Sequence, residues 1–292
     1  MVEVVRSVID PTGAIRWPGV TIWSFEHSEP APDRVIWDAQ AALVARANDV
    51  GALHIQVAGP YHHFDHIDRI LSQLQQSLDR ARRDGDAAAV QQQSAHIIVL
   101  LDIDCVPLSP LALRWLVRTA RAGGLAGNAQ RTNSIDNGAH VYAAASCLAV
   151  SVGTLDRLGW PSARPTPRSD CCEEFTWAAE AAGVEVHVLR PVAIDEQPAS
   201  GYWQLNDELG HYGWGTTFGT EGDGGLFWHA FEYFRPTESR WQFVMRNVQA
   251  AVRANRTELG YRRIGRDRRP TVRERFAGLL SSADAPVAGG QP

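Results

Sequence analysis

The chain of 292 residues contains no lysine; all 28 of its basic side chains are arginine. That absence removes Schiff-base chemistry, a lysine general base and Walker-type phosphate binding, each of which needs a primary amine. Cysteine is scarce as well. Cys105, Cys147, Cys171 and Cys172 match no zinc or redox spacing, and adjacent Cys171 and Cys172 are awkward disulfide partners. No apolar run is long enough to cross a bilayer, and no signal-peptide pattern opens the sequence. The expectation is a soluble, cytoplasmic protein with reduced thiols. A formal net charge of -5 argues against nucleic acid as a partner.

What the sequence does have is a sharp transition at Asp102. Ile97-Ile98-Val99-Leu100-Leu101 is short, apolar and rich in β-branched residues, so it reads as a buried strand. Asp102 and Asp104 follow at once, where that strand ends. Two carboxylates at a strand terminus repel one another unless a cation lies between them, and hard oxygen ligands suit Mg²⁺ or Mn²⁺. The rest of the pattern alternates. Strands are expected at 20–25, 54–58, 125–128, 142–150 and 184–189. Helices are expected at 34–48, 64–83, 111–121, 154–158 and 173–182. Residues 82–94 read as a linker or frayed helix end, and 198–225, rich in Gly, Trp and Tyr, as a long ordered loop. Strands alternating with helices predict an α/β sandwich.

The segment Leu100 to Leu108 resembles the Asp-X-Asp stretch of GT-A-fold, nucleotide-sugar-dependent glycosyltransferases. The small-residue block Ala143 to Val150, the Gly159-Trp160 pair and the acidic helix start at Asp170 to Gly183 resemble later parts of the same superfamily. The resemblance implies a Rossmann-like, mixed and mostly parallel sheet flanked by helices over residues 1–235. A helical extension with a basic, partly disordered tail would occupy 236–292. It implies transfer of a sugar from a nucleoside diphosphate donor, UDP by default, to an acceptor hydroxyl with Mn²⁺ or Mg²⁺. Asp104 would bind the metal. Asp102 would serve the metal and the donor ribose, and His229 would complete the ligand set. Ser24 and Phe25, at the end of the first strand, fall where relatives hold the nucleobase. Asn128 and Arg131 would reach the donor sugar or diphosphate, and Asp170 or Glu173 would serve the acceptor. In many inverting relatives two acids lie about eleven or twelve residues before the helix-ending glycine. Here those slots hold Cys171 and Cys172.

Other chemistries share parts of this pattern. A haloacid-dehalogenase-type phosphatase also places Asp-X-Asp after a buried strand. It normally opens with that strand and uses a lysine, and this chain does neither. Nucleotidyl transfer would use the same metal logic, and a carbohydrate-binding protein on a degenerate GT-A fold would use none. His62 and His66 have helical ligand spacing but lack the metalloprotease glutamate, so Tyr61 to Asp68 reads as a helix start. Tyr202, Trp203, Tyr212 and Trp214 would form an acceptor wall or lid. Between Arg246 and Arg275, ten Arg face only Glu258, Asp267 and Glu274, a balance suited to an anionic surface or partner.

Overall fold

A computed structural model describes residues 4–7, 19–26, 33–58, 62–132, 140–196, 205, 208–222 and 224–231. In chain order its elements are β1 (Val4–Ser7), β2 (Val20–Glu26), α1 (Asp33–Ala47), β3 (Leu53–Ala58), α2 (His63–Arg83), α3 (Ala87–Ser94), β4 (Ile97–Leu101) and β5 (Cys105–Pro107). Then follow α4 (Pro110–Arg121), β6 (Leu125–Arg131), β7 (Val141–Ser151), α5 (Val152–Arg157), α6 (Glu173–Ala181), β8 (Val186–Glu196), β9 (Trp214–Thr220) and β10 (Gly224–His229). The expected extension at 236–292, with its helix and basic tail, lies outside the described residues, as do Tyr202 and Trp203.

Strand pairing gives one continuous order, β1-β3-β2-β4-β7-β6-β8-β9-β10-β5. The pairs β1·β3, β2·β3, β2·β4 and β6·β8 are parallel. The other five, β4·β7, β6·β7, β8·β9, β9·β10 and β10·β5, are antiparallel. The sheet is therefore mixed, curled and mostly antiparallel, which corrects the expectation of a mostly parallel, Rossmann-like GT-A sheet. Two features cause the difference. β7 inserts antiparallel between β4 and β6. The Gly-rich stretch expected to be loop instead folds as the β9–β10 hairpin. Small residues permit that hairpin, since a Cβ at Gly219 would lie 1.6 Å from the Gly224 carbonyl oxygen. Residues 87–94, expected as linker, form α3, whose start is capped by Asp86 accepting from the Ala89 N–H at 2.9 Å.

Alternation along β4 organises the core. Ile97, Val99 and Leu101 belong to one apolar cluster, with α1 residues Val44 and Ala47 and α4 residues Leu113 and Leu116. Ile98 and Leu100 belong to the other, with α2 residues Ile67, Ile70 and Leu74 and α6 residue Phe175. Helix α2 buries His66, Ile67, Ile70, Leu71, Leu74, Leu78 and Ala81, the stripe of a one-faced helix. Each such Ile or Leu contributes about 1.5–3 kcal/mol on burial. Among the described residues no helix is long and apolar enough to cross a membrane.

Two buried histidines make stability acid-sensitive. Burial lowers His54 and His96 from 6.5 to about 4 each. The unfolded chain takes up both protons near 6.5 while the folded chain resists until about 4. Stability is thus complete above 6.5 and lost as pH falls toward 4. Each group is worth about 3 kcal/mol over that window. The urea midpoint should fall steeply between pH 6.5 and 4.5, and His54→Leu should shallow the slope; a flat profile in the wild type contradicts this.

Candidate metal centre

The short loop from Asp102 to Cys105 is fixed from three sides. The Asp102 N–H donates to the Ser146 carbonyl of β7 at 3.0 Å, and the Cys105 N–H closes the turn onto the Asp102 carbonyl at 2.9 Å. Gln40 of α1, wholly buried, donates through Nε2 to the carbonyls of Asp102 at 2.6 Å and Cys105 at 3.3 Å. From the far side, the Ala230 N–H donates to the Asp104 carbonyl at 3.2 Å. β5 leaves this loop and pairs antiparallel with β10, setting His229 opposite Cys105.

That register brings the imidazole to the carboxylates. His229 Nε2 lies 3.2 Å from Asp104 Oδ1 and 3.8 Å from Asp102 Oδ2. Ligand atoms of all three residues lie within 4.8 Å of one another. Asp104 and His229 are buried, with side chains 4% and 5% exposed, while Asp102 is 35% exposed and forms the open side. Burial lowers the His229 pKa, but the Asp104 and Asp102 carboxylates outweigh it and leave the group raised. Phe231 packs on the ring with centroids 3.9 Å apart, and His229 Nδ1 has no hydrogen-bond partner among the described residues. Two carboxylates and one imidazole form a donor set that Mn²⁺ accepts well, and Mg²⁺ less so because of the nitrogen.

A second group of side chains surrounds the N-terminus of α6. Glu173 is wholly buried. Its Oε2 accepts from Thr132 Oγ1 at 2.5 Å and from the Asp170 N–H at 2.8 Å, and its Oε1 accepts from His140 Nδ1 at 2.5 Å. Cys172 is the cap of α6 and Glu173 its first residue, so these bonds tie the helix start to the loop before it. Asp170 Oδ1 accepts from the Cys171 N–H at 2.7 Å. Asp170 Oδ2 takes the Tyr142 hydroxyl at 3.5 Å. Burial, then the Asp170 charge, pushes the Tyr142 phenol well up. Glu174 is tied to Arg168, whose guanidinium holds its carboxyl down at about 2. Glu173 is thus buried in structural bonds and Glu174 is held by Arg168, while Asp170 and Glu174 are both partly exposed.

The remaining sequence-derived residues fall into two sets. Ser24 is buried against His54, its Oγ 3.1 Å from Nε2, and Phe25 packs in the α2 cluster and stacks on His66 with centroids 6.0 Å apart. Both are committed to the core. Asn128 and Arg131 lie on β6. Asn128 is wholly buried with Nδ2 3.8 Å from Cys105 Sγ, and its Oδ1 has no partner among the described residues. Arg131 is half-buried, and its Nε is likewise without a partner among them. Tyr212 is core, its hydroxyl donating to the Arg131 carbonyl at 2.9 Å.

Sequence reasoning missed His63 and Cys171. His63 opens α2, and its Nε2 lies 3.1 Å from Cys171 Sγ. Burial lowers the His63 imidazole, but Cys171, Asp102 and Asp170 outweigh that and raise it to about 9. His63 thus links the Asp102 end of the centre electrostatically to the Asp170 end. Its signal was the histidine run from His62 to His66, in which the informative member was the middle one.

No protein-family model matches the chain, and a search of curated proteins returns no match either.

Proposed function

We propose that this protein is a divalent-metal-dependent glycosyltransferase, moving a sugar from a nucleoside diphosphate sugar to an acceptor hydroxyl. The observation that carries the reading is the convergence of the neighbouring carboxylates Asp102 and Asp104 with the imidazole of His229, far downstream in sequence, at one partly open point beyond β4. A divalent cation there would offset the charge that develops on a diphosphate leaving group. Mn²⁺ or Mg²⁺ is the expected ion and UDP the default nucleotide.

The chain's own groups divide the remaining work. With no lysine present, Arg131 is the cation suited to a bidentate phosphate contact. Asn128 Oδ1, buried and unmatched among the described residues, is suited to accept from a hydroxyl of the donor sugar. Asp170 takes the acceptor's proton or orients its hydroxyl. Glu173 acts through Asp170 by holding its N–H, and so is a positioning residue. We place the activity in the cytoplasm; four unbridged cysteines support that setting.

The test is a thermal-shift titration with UDP, GDP, CMP and their sugar conjugates, each with and without Mn²⁺. One nucleotide should stabilise the protein only with metal, by about 2.7 kcal/mol at a hundred times its dissociation constant. No shift with any nucleotide, or an equal shift without metal, overturns the reading.

A further inference from the structure

We propose that Gln40 is a positioning residue of the metal centre: its side-chain amide sets the spacing of Asp102 and Asp104, and through it the affinity of the site and its choice of ion. Gln40 stands on α1 in the buried stripe it forms with Leu43, Val44 and Ala47. That spacing of i, i+3, i+4 and i+7 is the core face of a helix, where an apolar side chain would ordinarily pack. The amide is wholly buried and only half used. Nε2 donates to the carbonyls of Asp102 and Cys105, the two ends of the turn that carries Asp104. Oε1 has no hydrogen-bond partner among the described residues. A buried acceptor left unmatched lowers stability, and departures of this kind concentrate at functional sites.

The turn does not need Gln40 in order to close. The Asp102 carbonyl already accepts the Cys105 N–H at 2.9 Å, and the Asp102 N–H is held by the Ser146 carbonyl. Gln40 adds rigidity to a turn that is already connected. One side chain ties both of its ends to α1, while the Ala230 N–H holds the Asp104 carbonyl from the far side. Asn128 supports the same corner from β6, its Nδ2 3.8 Å from Cys105 Sγ. The main chain at Asp102, Asp104 and Cys105 is thus fixed before an ion arrives. The two carboxylates repel one another until a cation lies between them, so a loose turn would let them part. A preset spacing favours an ion that demands a fixed geometry over Ca²⁺, which tolerates a flexible oxygen cage. The inference rests on Asp102, Asp104 and His229 being metal ligands, and on no property of a nucleotide sugar.

The experiment is isothermal titration of the full chain with Mn²⁺ and with Ca²⁺, in wild type, Gln40→Met and Gln40→Glu, beside a thermal melt of each. Gln40→Met keeps the length of the side chain and removes both N–H donors. It should weaken Mn²⁺ binding by about ten- to a hundredfold. It should lower the ratio of Mn²⁺ to Ca²⁺ affinity by about threefold or more, and cost no more than about 4 °C in Tm. Gln40→Glu keeps one O–H donor while its buried carboxyl is neutral, and should bind Mn²⁺ with an affinity between the other two. It carries the test if Gln40→Met does not fold. Wild-type Mn²⁺ affinity in either folded variant overturns the proposal, as does a weaker affinity with the Mn²⁺-to-Ca²⁺ ratio unchanged, or a loss of Tm alone. If wild type itself binds no Mn²⁺, the metal centre falls and this proposal with it, so the wild-type titration tells the two failures apart.

Discussion

Asp104→Ala is expected to weaken Mn²⁺ binding by at least a hundredfold and to reduce transfer to background. Asp104 is the buried carboxylate nearest His229, at 3.2 Å, and its removal leaves only the half-open Asp102 on the oxygen side. Changing a residue that merely supports a metal ligand commonly costs ten- to a hundredfold, and loss of the ligand itself should cost no less. A hundredfold is about 2.7 kcal/mol. The fold should survive, because the Asp104 contact that anchors the loop is its main-chain carbonyl, held by Ala230 N–H. Asp104→Asn should keep the shape and one neutral oxygen and fall between the two. Isothermal titration with Mn²⁺ alone checks the first number. Wild-type affinity in Asp104→Ala would remove this cluster from the account.

Glu173→Ala should produce the largest loss of stability of any single change near the site. The side chain is wholly buried, and its removal strands three donors, Thr132 Oγ1, His140 Nδ1 and the Asp170 N–H. Breaking a buried, hydrogen-bonded charge from one side typically costs about 3–5 kcal/mol. For a chain of this size that corresponds to roughly 6–20 °C in Tm. Asp170 and Cys171 follow directly on the freed N–H, so activity should fall along with stability. Glu173→Gln keeps an acceptor and the volume and should recover most of the loss. If Glu173→Ala melts within a degree or two of wild type, the network is not holding the N-terminus of α6.

The sequence made one end of the candidate centre legible and hid the other. Asp102 and Asp104 stood out because five apolar residues precede them, and that run is β4. His229 was expected from the resemblance, which implies a downstream histidine in the ligand set, and Phe231 packs on its ring. Their meeting depends on β5·β10 pairing, which no local pattern announces. β5 is only three residues long, and β9 and β10 carry Gly, Thr and Trp in place of a clear alternation. The same blind spot produced the wrong balance of parallel and antiparallel strands. Helices α1, α2, α4 and α6 were readable because each buries a stripe at helical spacing, a property of the segment alone. His63 and Cys171 were unreadable as a pair because the approach of two helix starts across the sheet edge is a tertiary fact. Glu173 shows the converse. A carboxylate beside the expected acceptor looked chemical in sequence, and the structure surrounds it with three donors.

The most direct test of the central claim is electron spin-echo spectroscopy of the protein loaded with one equivalent of Mn²⁺. The account predicts a nitrogen coupling from a directly bound imidazole, present in wild type and lost in His229→Ala while manganese remains bound more weakly. Manganese that shows no such nitrogen, or one that persists in His229→Ala, would contradict a metal centre built from Asp102, Asp104 and His229.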